Sequence, residues 1–419
     1  MASNEAQVSP RPLQVNIVGA GLGGLTAAIA LRRSGHKVQI FEGSEKKTEL
    51  GNGITLQVNG LRVLHQLGFS SRNLQGAEYD GIVRFDAHTG SGTLHSWGAR
   101  STEDNDFRAM ACHRSDFRDE LERLATAKEG QGMPAQLHLD SKVVVWKYHF
   151  GQWRDHFRGS CAASKSTIRT SIVGHPVRPL PCGLSCVRFL LDASGVNDIP
   201  DLGWLTDNPH ANKGIQWPGE ERRLIYTYPV RNRTLINFVG FFADEDQAKP
   251  DWVPSATRQD VLNKFHDAHP KFLRLLDLPI VSPTLKWKLR TVPILRTWIR
   301  GRAVLLGDSA HATIPYMGQG SAMAIEDAGV LGVLLPFGTT QDAIYSRLAA
   351  YEMLRKERGE FVNKQSLDRA LSNNGDGTFR PQSQDSETQA RVLKHDAIQV
   401  AQEYLSMHFG GETGVRNTL

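Results

Sequence analysis

The chain has 419 residues, 40% of them hydrophobic and 22% charged, with a formal net charge of +5; single cores stop growing near about 250 to 300 residues, so two domains are expected. No apolar run reaches the roughly 18 residues that span a bilayer, and the four cysteines are too scattered for a disulfide framework, so a cytoplasmic protein with reduced thiols is expected. The positive excess is local, because Lys142 to Arg188 holds eight Lys and Arg against Asp155 alone; no nucleic-acid module accompanies it, and neither a nucleic-acid partner nor a metal site is expected.

The first residues, MASNEAQVSPRP, are polar and read as a frayed tail. Residues 14 to 42, QVNIVGAGLGGLTAAIALRRSGHKVQIFE, read as strand, glycine turn, helix and second strand closed by an acid. Gly19, Gly21 and Gly24 stand at GxGxxG spacing: the first allows the tight turn, the second lets backbone approach a pyrophosphate, and the third lets helix pack on strand. The helix from about Leu22 to Ser34 points its free N–H groups at the phosphates. Glu42 is placed to accept hydrogen bonds from a ribose diol. Together these residues predict a dinucleotide cradle.

Further along, RFLLDA (188–193), RRLIYTYPV (222–230), TLINFVGFF (234–242) and TLKWKLRTVP (284–293) have strand character. Leu224, Tyr226 and Tyr228 share one face by the two-residue period. Residues 298 to 331 read as an apolar strand over Ala303 to Leu306, a loop, and a helix from near Gly320. Asp308, where that strand ends, is placed to bond the ribityl or pyrophosphate side of a flavin. Gly318 and Gly320 let backbone approach a flat ring, and the helix, with Ser321 in its first turn, aims its positive end at that ring. NNGDGTFRPQSQDSE (373–387) predicts a loop before a closing helix from about Thr388 to Met407.

The glycine cradle and the Asp308 loop together resemble the FAD-dependent aromatic hydroxylases, the single-component flavoprotein monooxygenases typified by salicylate and para-hydroxybenzoate hydroxylases. ELGNGITLQVNGLRVLHQLGF (49–69) is similar to the family's second turn, with Gly53 beside the flavin. CHRSDFRDEL (112–121) resembles the helix in which an arginine, here Arg114, contacts the FAD phosphate or ribityl region. In YEMLRKERGEFVNKQS (351–366), Arg355 and Arg358 are assigned to packing and surface charge. His311 in GDSAHAT is read as orienting backbone rather than as a catalyst.

The resemblance implies an α/β chain with a Rossmann-like FAD-binding domain, an inserted antiparallel-sheet substrate domain and a C-terminal helical segment. FAD binding falls to 1–80, 106–180 and 294–350, the substrate sheet to 81–105 and 181–293, and the closing helices to 351–419. Arg188, opening the first sheet strand, and Tyr226 are implied as the polar pair meeting an aromatic substrate: a cation for a phenolate and a hydroxyl to relay its proton. Strand periodicity alone leaves open a surface arginine and a core tyrosine. The implied chemistry is reduction of FAD by NADPH or NADH, reaction with O2 to a flavin hydroperoxide, and hydroxylation of a phenolic ring by a monomer or homodimer.

One stretch departs from the family pattern. An apolar strand normally runs into a Gly-Ala-Asp-Gly turn followed by Ser and Arg; Ser166 and Arg169 are present in KSTIRTSIVG, but Ala162 and Ala163 of CAAS stand where Asp and Gly would be. Residues 145–163 are read as a replacement of that segment through a reading-frame or splicing difference, at a cost to FAD affinity and reduction rate. Two alternatives therefore stand beside hydroxylation: epoxidation of an isoprenoid alkene on the same scaffold, and a flavoprotein with impaired turnover.

Overall fold

The computed structural model describes residues 11–45, 52–96, 108–145, 148–149, 152–153, 156–157, 167–219, 222–244, 252–253, 256–371 and 386–410. Gln14–Val18 pairs in parallel with Lys37–Phe41, and Lys37–Phe41 in parallel with Gln136–His138. The crossover helix Leu22–Arg33 is almost wholly buried against the helix Gly320–Leu334. The latter is apolar on every side, with thirteen of its fifteen residues buried, as a helix enclosed between layers must be. Two glycines set its distance from its neighbours. A Cβ on Gly332 would lie 2.8 Å from Ala30 Cβ, and one on Gly329 would lie 2.6 Å from Val63.

The second layer is an eight-stranded sheet in the order Trp252–Val253, Leu285–Thr291, Leu180–Asp192, Leu235–Ala243, Leu224–Val230, Ala211–Gln216, Gly81–Asp86 and Gly92–Ser96. Every pairing is antiparallel except that of Ala211–Gln216 with Gly81–Asp86. The two-residue period divides its side chains between faces. Val83, Phe85, Val187, Phe189, Phe238 and Phe242 pack in one core with Val261, Phe265 and Phe272, on the helices Arg258–Phe265 and Pro270–Leu273. The opposite face looks into the molecule.

A buried ion cluster locks the interior. Glu326 and Asp327, both 0% exposed, lie on Gly320–Leu334 and meet Arg355 and Arg358 from the long helix Ile344–Leu371. Arg355 Nε is 2.7 Å from Asp327 Oδ1 and its Nη2 2.8 Å from Glu326 Oε2; Arg358 Nε is 2.7 Å from Glu326 Oε2. Asp327 Oδ2 also accepts the Gly307 amide at 2.8 Å and lies 2.6 Å from His311 Nε2. Burial would raise both carboxyls, but the neighbouring charges outweigh it and hold each at about 2: Arg355 and Arg358 for Glu326, His311 and Arg355 for Asp327. The sequence assignment of Arg355 and Arg358 to packing and surface charge is thereby corrected: Arg355 is 1% and Arg358 9% exposed, both paired to carboxylates.

Other departures have local causes. The strand containing Arg188 begins at Leu180, so Arg188 lies well inside it; Gly183 at φ +73° and a register shift between Pro181 and Ser185 hide its start. The strand before Asp308 is limited to Ala303–Val304, paired with Ile299–Arg300. The closing helix is two helices, Ser386–Leu393 and Ala397–Phe409, because Asp396 caps the second through the amides of Ile398 and Gln399. Most of 145–163, and 373–385 of the expected polar loop, lie outside the described residues. What is described there forms short pairings, Tyr148–His149 with Gln152–Trp153 and Val143–Val145 with His156–Phe157. No helix among the described residues is long and apolar enough to cross a membrane.

Two predictions follow from this interior. Replacing Gly332 with Ala gains about 0.5–1 kcal/mol of helix propensity but overpacks the contact with Ala30 at about 1–3 kcal/mol, so the thermal midpoint should fall. Arg355→Ala leaves two buried carboxylates short of a partner and should cost about 3–5 kcal/mol. In the intact protein the stabilisation by Glu326 and Asp327 is complete above their ordinary values near about 4 and is lost as pH falls through about 2. Thermal melts between pH 7 and 3 should therefore show the Arg355→Ala variant losing stability at higher pH than the wild type.

Candidate active site

A cavity of about 1260 Å³ lies between the glycine turn, residues 307–319 and the inner face of the large sheet. The eleven residues assigned to cofactor or substrate from the sequence line it: Gly19, Gly21, Gly24, Glu42, Gly53 and Arg114; Asp308, Gly320 and Ser321; Arg188 and Tyr226.

At one end the backbone does the work. Gly19 has φ +102°, and a Cβ on Gly24 would sit 2.1 Å from the Gly19 carbonyl oxygen, so helix and turn close only on glycine. Gly21 precedes the helix Leu22–Arg33 with no side-chain cap, which leaves the first-turn amides for an acceptor in the cavity. The Glu42 carboxylate accepts the amides of Ala20 at 2.8 Å and Ser44 at 3.0 Å, which orients it beside the turn. Arg114 opens the helix Arg114–Thr126, and its amide donates to the Asn52 carbonyl at 3.0 Å.

The second piece is the turn at Gly307, where φ is +57°. Asp308 next to it opens onto the cavity while the surrounding chain encloses it. That enclosure pushes its carboxyl above the ordinary range, and His311, Arg114 and Arg169 pull it back. Arg169, 1% exposed, donates to the carbonyls of Ser309 at 2.6 Å and Asp308 at 2.9 Å, so it holds the turn from behind. His311 does not line the cavity; it is buried against Asp327 and tilted on the Trp298 ring at 5.2 Å. Gly318, at φ +61°, faces Gln57 and Thr55 so closely that a Cβ would lie 3.3 Å from each, and the helix beginning at Gly320 follows it.

The sheet supplies the third wall. Tyr226 Oη accepts a hydrogen bond from Asn212 Nδ2 at 3.0 Å, leaving its own O–H free to donate. Burial pushes its phenol up to about 12, against the pull of Asn212 and Arg84, so it is neutral at ordinary pH. Tyr228 is also raised by burial, with Arg188 acting against it. Gly53 is close to this wall: its amide donates to Asn237 Oδ1 at 2.8 Å, and a Cβ there would meet the Tyr228 ring at 2.6 Å. The glycine is thus demanded by the sheet's own side chains.

Sequence reading matched Arg169 to the family pattern without giving it a task, and missed Arg84 and the acid pair Glu326–Asp327. The acids had a legible signal, two adjacent charges inside an otherwise apolar helix. Arg84 had none, and the carbonyls that Arg169 holds lie 139 and 140 positions away.

The donor set suits a flavin dinucleotide: a glycine cradle that any Cβ would fill, an uncapped helix start for phosphates, two carboxylates for hydroxyls, and left-handed glycines where a flat ring needs room. A family model described as "FAD binding domain" matches residues 12–137 and 198–366, leaving out the stretch that includes 145–163. Hispidin-3-hydroxylase of Neonothopanus nambi is 38% identical over 392 residues, covering 85% of this chain and 88% of that protein. A salicylate hydroxylase of Pseudomonas putida is 29% identical over 389 residues, 84% of each. A crystal structure of CtdE in complex with FAD and a substrate superposes with a TM-score of 0.78 at 20% identity, over 94% of this chain and 98% of that one, a likeness of fold. By the length of the family match and the identity to its hydroxylases, the chain belongs to the FAD-binding-domain family of FAD-dependent monooxygenases and aromatic hydroxylases.

Proposed function

We propose that the chain hydroxylates a phenolic or related electron-rich aromatic small molecule, consuming NADPH or NADH and O2. The observation that carries this is the convergence on one cavity of the glycine cradle, the Asp308 turn and the Arg188–Tyr226 face. Bound FAD would supply reduction by the nicotinamide cofactor and activation of oxygen.

The chain's own residues divide the remaining tasks. The amides after Gly21 and the Arg114 guanidinium take the pyrophosphate, Glu42 and Asp308 take hydroxyls of the ribose and ribityl chain, and Gly320 and Ser321 present a helix start to the ring. On the sheet, Arg188 stabilises an ionised substrate oxygen, and the neutral Tyr226 O–H donates to it and relays its proton. Hispidin, salicylate and similar phenols are the substrate class that relatives' names bring to mind. Arg188 and Tyr226 both face the cavity, which weighs against the epoxidase alternative, since an alkene needs neither. A cytoplasmic location and a monomer or homodimer complete this reading.

A second reading, a flavin-binding chain of low turnover, is favoured by the sheet. Among the described residues Gln14–Val18 pairs with Lys37–Phe41, and Ala303–Val304 with Ile299–Arg300, while the cavity runs along both segments. The glycine turn and the Asp308 turn are therefore not tied through a common sheet.

The visible absorption spectrum, followed while NADPH is added with and without oxygen, separates the two. A flavin band that bleaches anaerobically and returns with O2 supports the hydroxylase; flavin that binds and stays oxidised supports the second reading, and a protein that takes up no FAD contradicts both. Gly24→Ala places a methyl 2.1 Å from the Gly19 oxygen and should abolish FAD retention, read as the absence of the flavin band from the visible spectrum of the purified protein.

A further inference from the structure

The inner face of the large sheet carries one continuous row of side chains. Arg84 pairs with Gly214, Gly214 with Tyr226, Tyr226 with Val239 and Val239 with Arg188. Directly opposed residues share a face, and the flanking Val83, Phe85, Val187 and Phe189 belong to the core on the other side. Arg84 and Arg188 are four strand spacings apart, about 19 Å between Cα atoms at about 4.8 Å per spacing, with Tyr226 midway. The positions beside the tyrosine in the row carry no long side chain, Gly214 having none and Val239 a short one, and Ile82, Val239, Tyr226 and both arginines line the cavity.

Both ends of the row hold unsatisfied guanidinium. Arg84 Nε and Nη1 and Arg188 Nε are buried with no hydrogen-bond partner among the described residues. Such groups are costly to bury unless an acceptor arrives, and an anionic oxygen is the strongest one. The two arginines have separate surroundings: Arg84 neighbours Tyr226 and Arg369, and Arg188 neighbours Cys186 and Tyr228. Among the described lining residues the only acids are Glu42 and Asp308, and both belong to the glycine turn and the Gly307 turn. Between the arginines the cavity is walled by rings, Tyr226 and Tyr228 at 5.5 Å and Phe241 and Tyr316 at 5.0 Å, which suits a flat unsaturated body.

We propose that this cavity takes an elongated, flat, conjugated substrate bearing an acidic oxygen function at each end, one held by Arg84 and the other by Arg188. The inference rests on the hydroxylase reading and makes Arg84 a specificity-determining residue. A single-ring phenolic acid engages one guanidinium and leaves the other unsatisfied. Two-point anchoring would also fix which carbon of the long substrate lies beside the flavin loop.

The test is equilibrium binding to the FAD-loaded protein by calorimetry, with trans-stilbene-4,4′-dicarboxylate as the two-ended probe and trans-stilbene-4-carboxylate as the one-ended probe. The dicarboxylate should bind about tenfold tighter or better. Arg84→Gln and Arg188→Gln should each reduce it to the level of the monocarboxylate, and Arg84→Lys, which keeps the charge, should recover part of the difference. Equal binding of the two probes, or an Arg84→Gln protein that binds the dicarboxylate as the wild type does, overturns the proposal. NADPH bleaching of the same preparations separates the failures: flavin that reduces normally while the probes bind equally sinks the two-ended substrate alone, and flavin that cannot be reduced sinks the hydroxylase reading beneath it.

Discussion

Two adjacent carboxylates with no exposure, Glu326 and Asp327, are the constraint on which the rest of the site depends. Successive positions on a helix point about 100° apart, so the two acids reach in different directions. Glu326 meets Arg358 and the Asn59 amide at 2.6 Å, and Asp327 meets the Gly307 amide and His311. Arg355 bridges both. The turn that presents Asp308 is thereby fastened to the same helix whose start faces the cavity. Gln319, just before that helix, is held by Asn59 at 3.0 Å, so residues 307–319 are gripped at both ends. Arg169 adds a third hold on the carbonyls of Asp308 and Ser309. A loop of that length without such grips would lose its geometry to chain entropy.

The charge of the cavity is divided along its length. Carboxylates sit at the cradle and the Asp308 turn, each oriented by amides or restrained by arginines. At the sheet the charged lining residues are arginines, of which Arg223 is neutralised by Asp267 at 2.6 Å. Under the proposed function this asymmetry would orient a cofactor and a substrate in one chamber: hydroxyl-rich and phosphate groups toward one end, anionic oxygens toward the other. It rests on strand pairing, since Arg84 and Arg188 come from segments more than a hundred positions apart and share a row only because four intervening pairings hold register.

What the sequence made legible were the features whose physics is local. Gly24 is forced by a carbonyl five residues earlier, Glu42 follows the strand Lys37–Phe41 and Asp308 follows the Gly307 turn, and the alternation in LIYTYP puts Tyr226 and Tyr228 on one face. What stayed hidden depended on distance. Arg169 matched the family pattern, but its targets did not show, since they are carbonyls 139 and 140 positions away; Arg355 and Arg358 lie in a run rich in charge whose helical face cannot be assigned to interior or surface without its neighbour. The Asp396 cap was readable and was overridden by the longer helical pattern around it. Pro181 and Gly183 disguised a thirteen-residue strand because a bulge needs the very residues that signal a break.

The departure around 145–163 takes its meaning from how the cofactor pieces are held. The glycine cradle depends on its own strand–helix–strand unit, the Asp308 turn on the ion cluster and Arg169, and Arg114 on the Asn52 carbonyl at its helix start. None of these supports passes through the segment the family model leaves out, 138–197, except Arg169, and Arg169 reaches its carbonyls. The stretch left out of the family match is therefore not needed for the composition of these pieces, apart from Arg169. Affinity for a dinucleotide rises with the number of contacts but also with how little ordering each costs. A site complete in contacts and loose between two of its supports would hold FAD less tightly, and would lose most in the step that needs the ring placed accurately for hydride transfer.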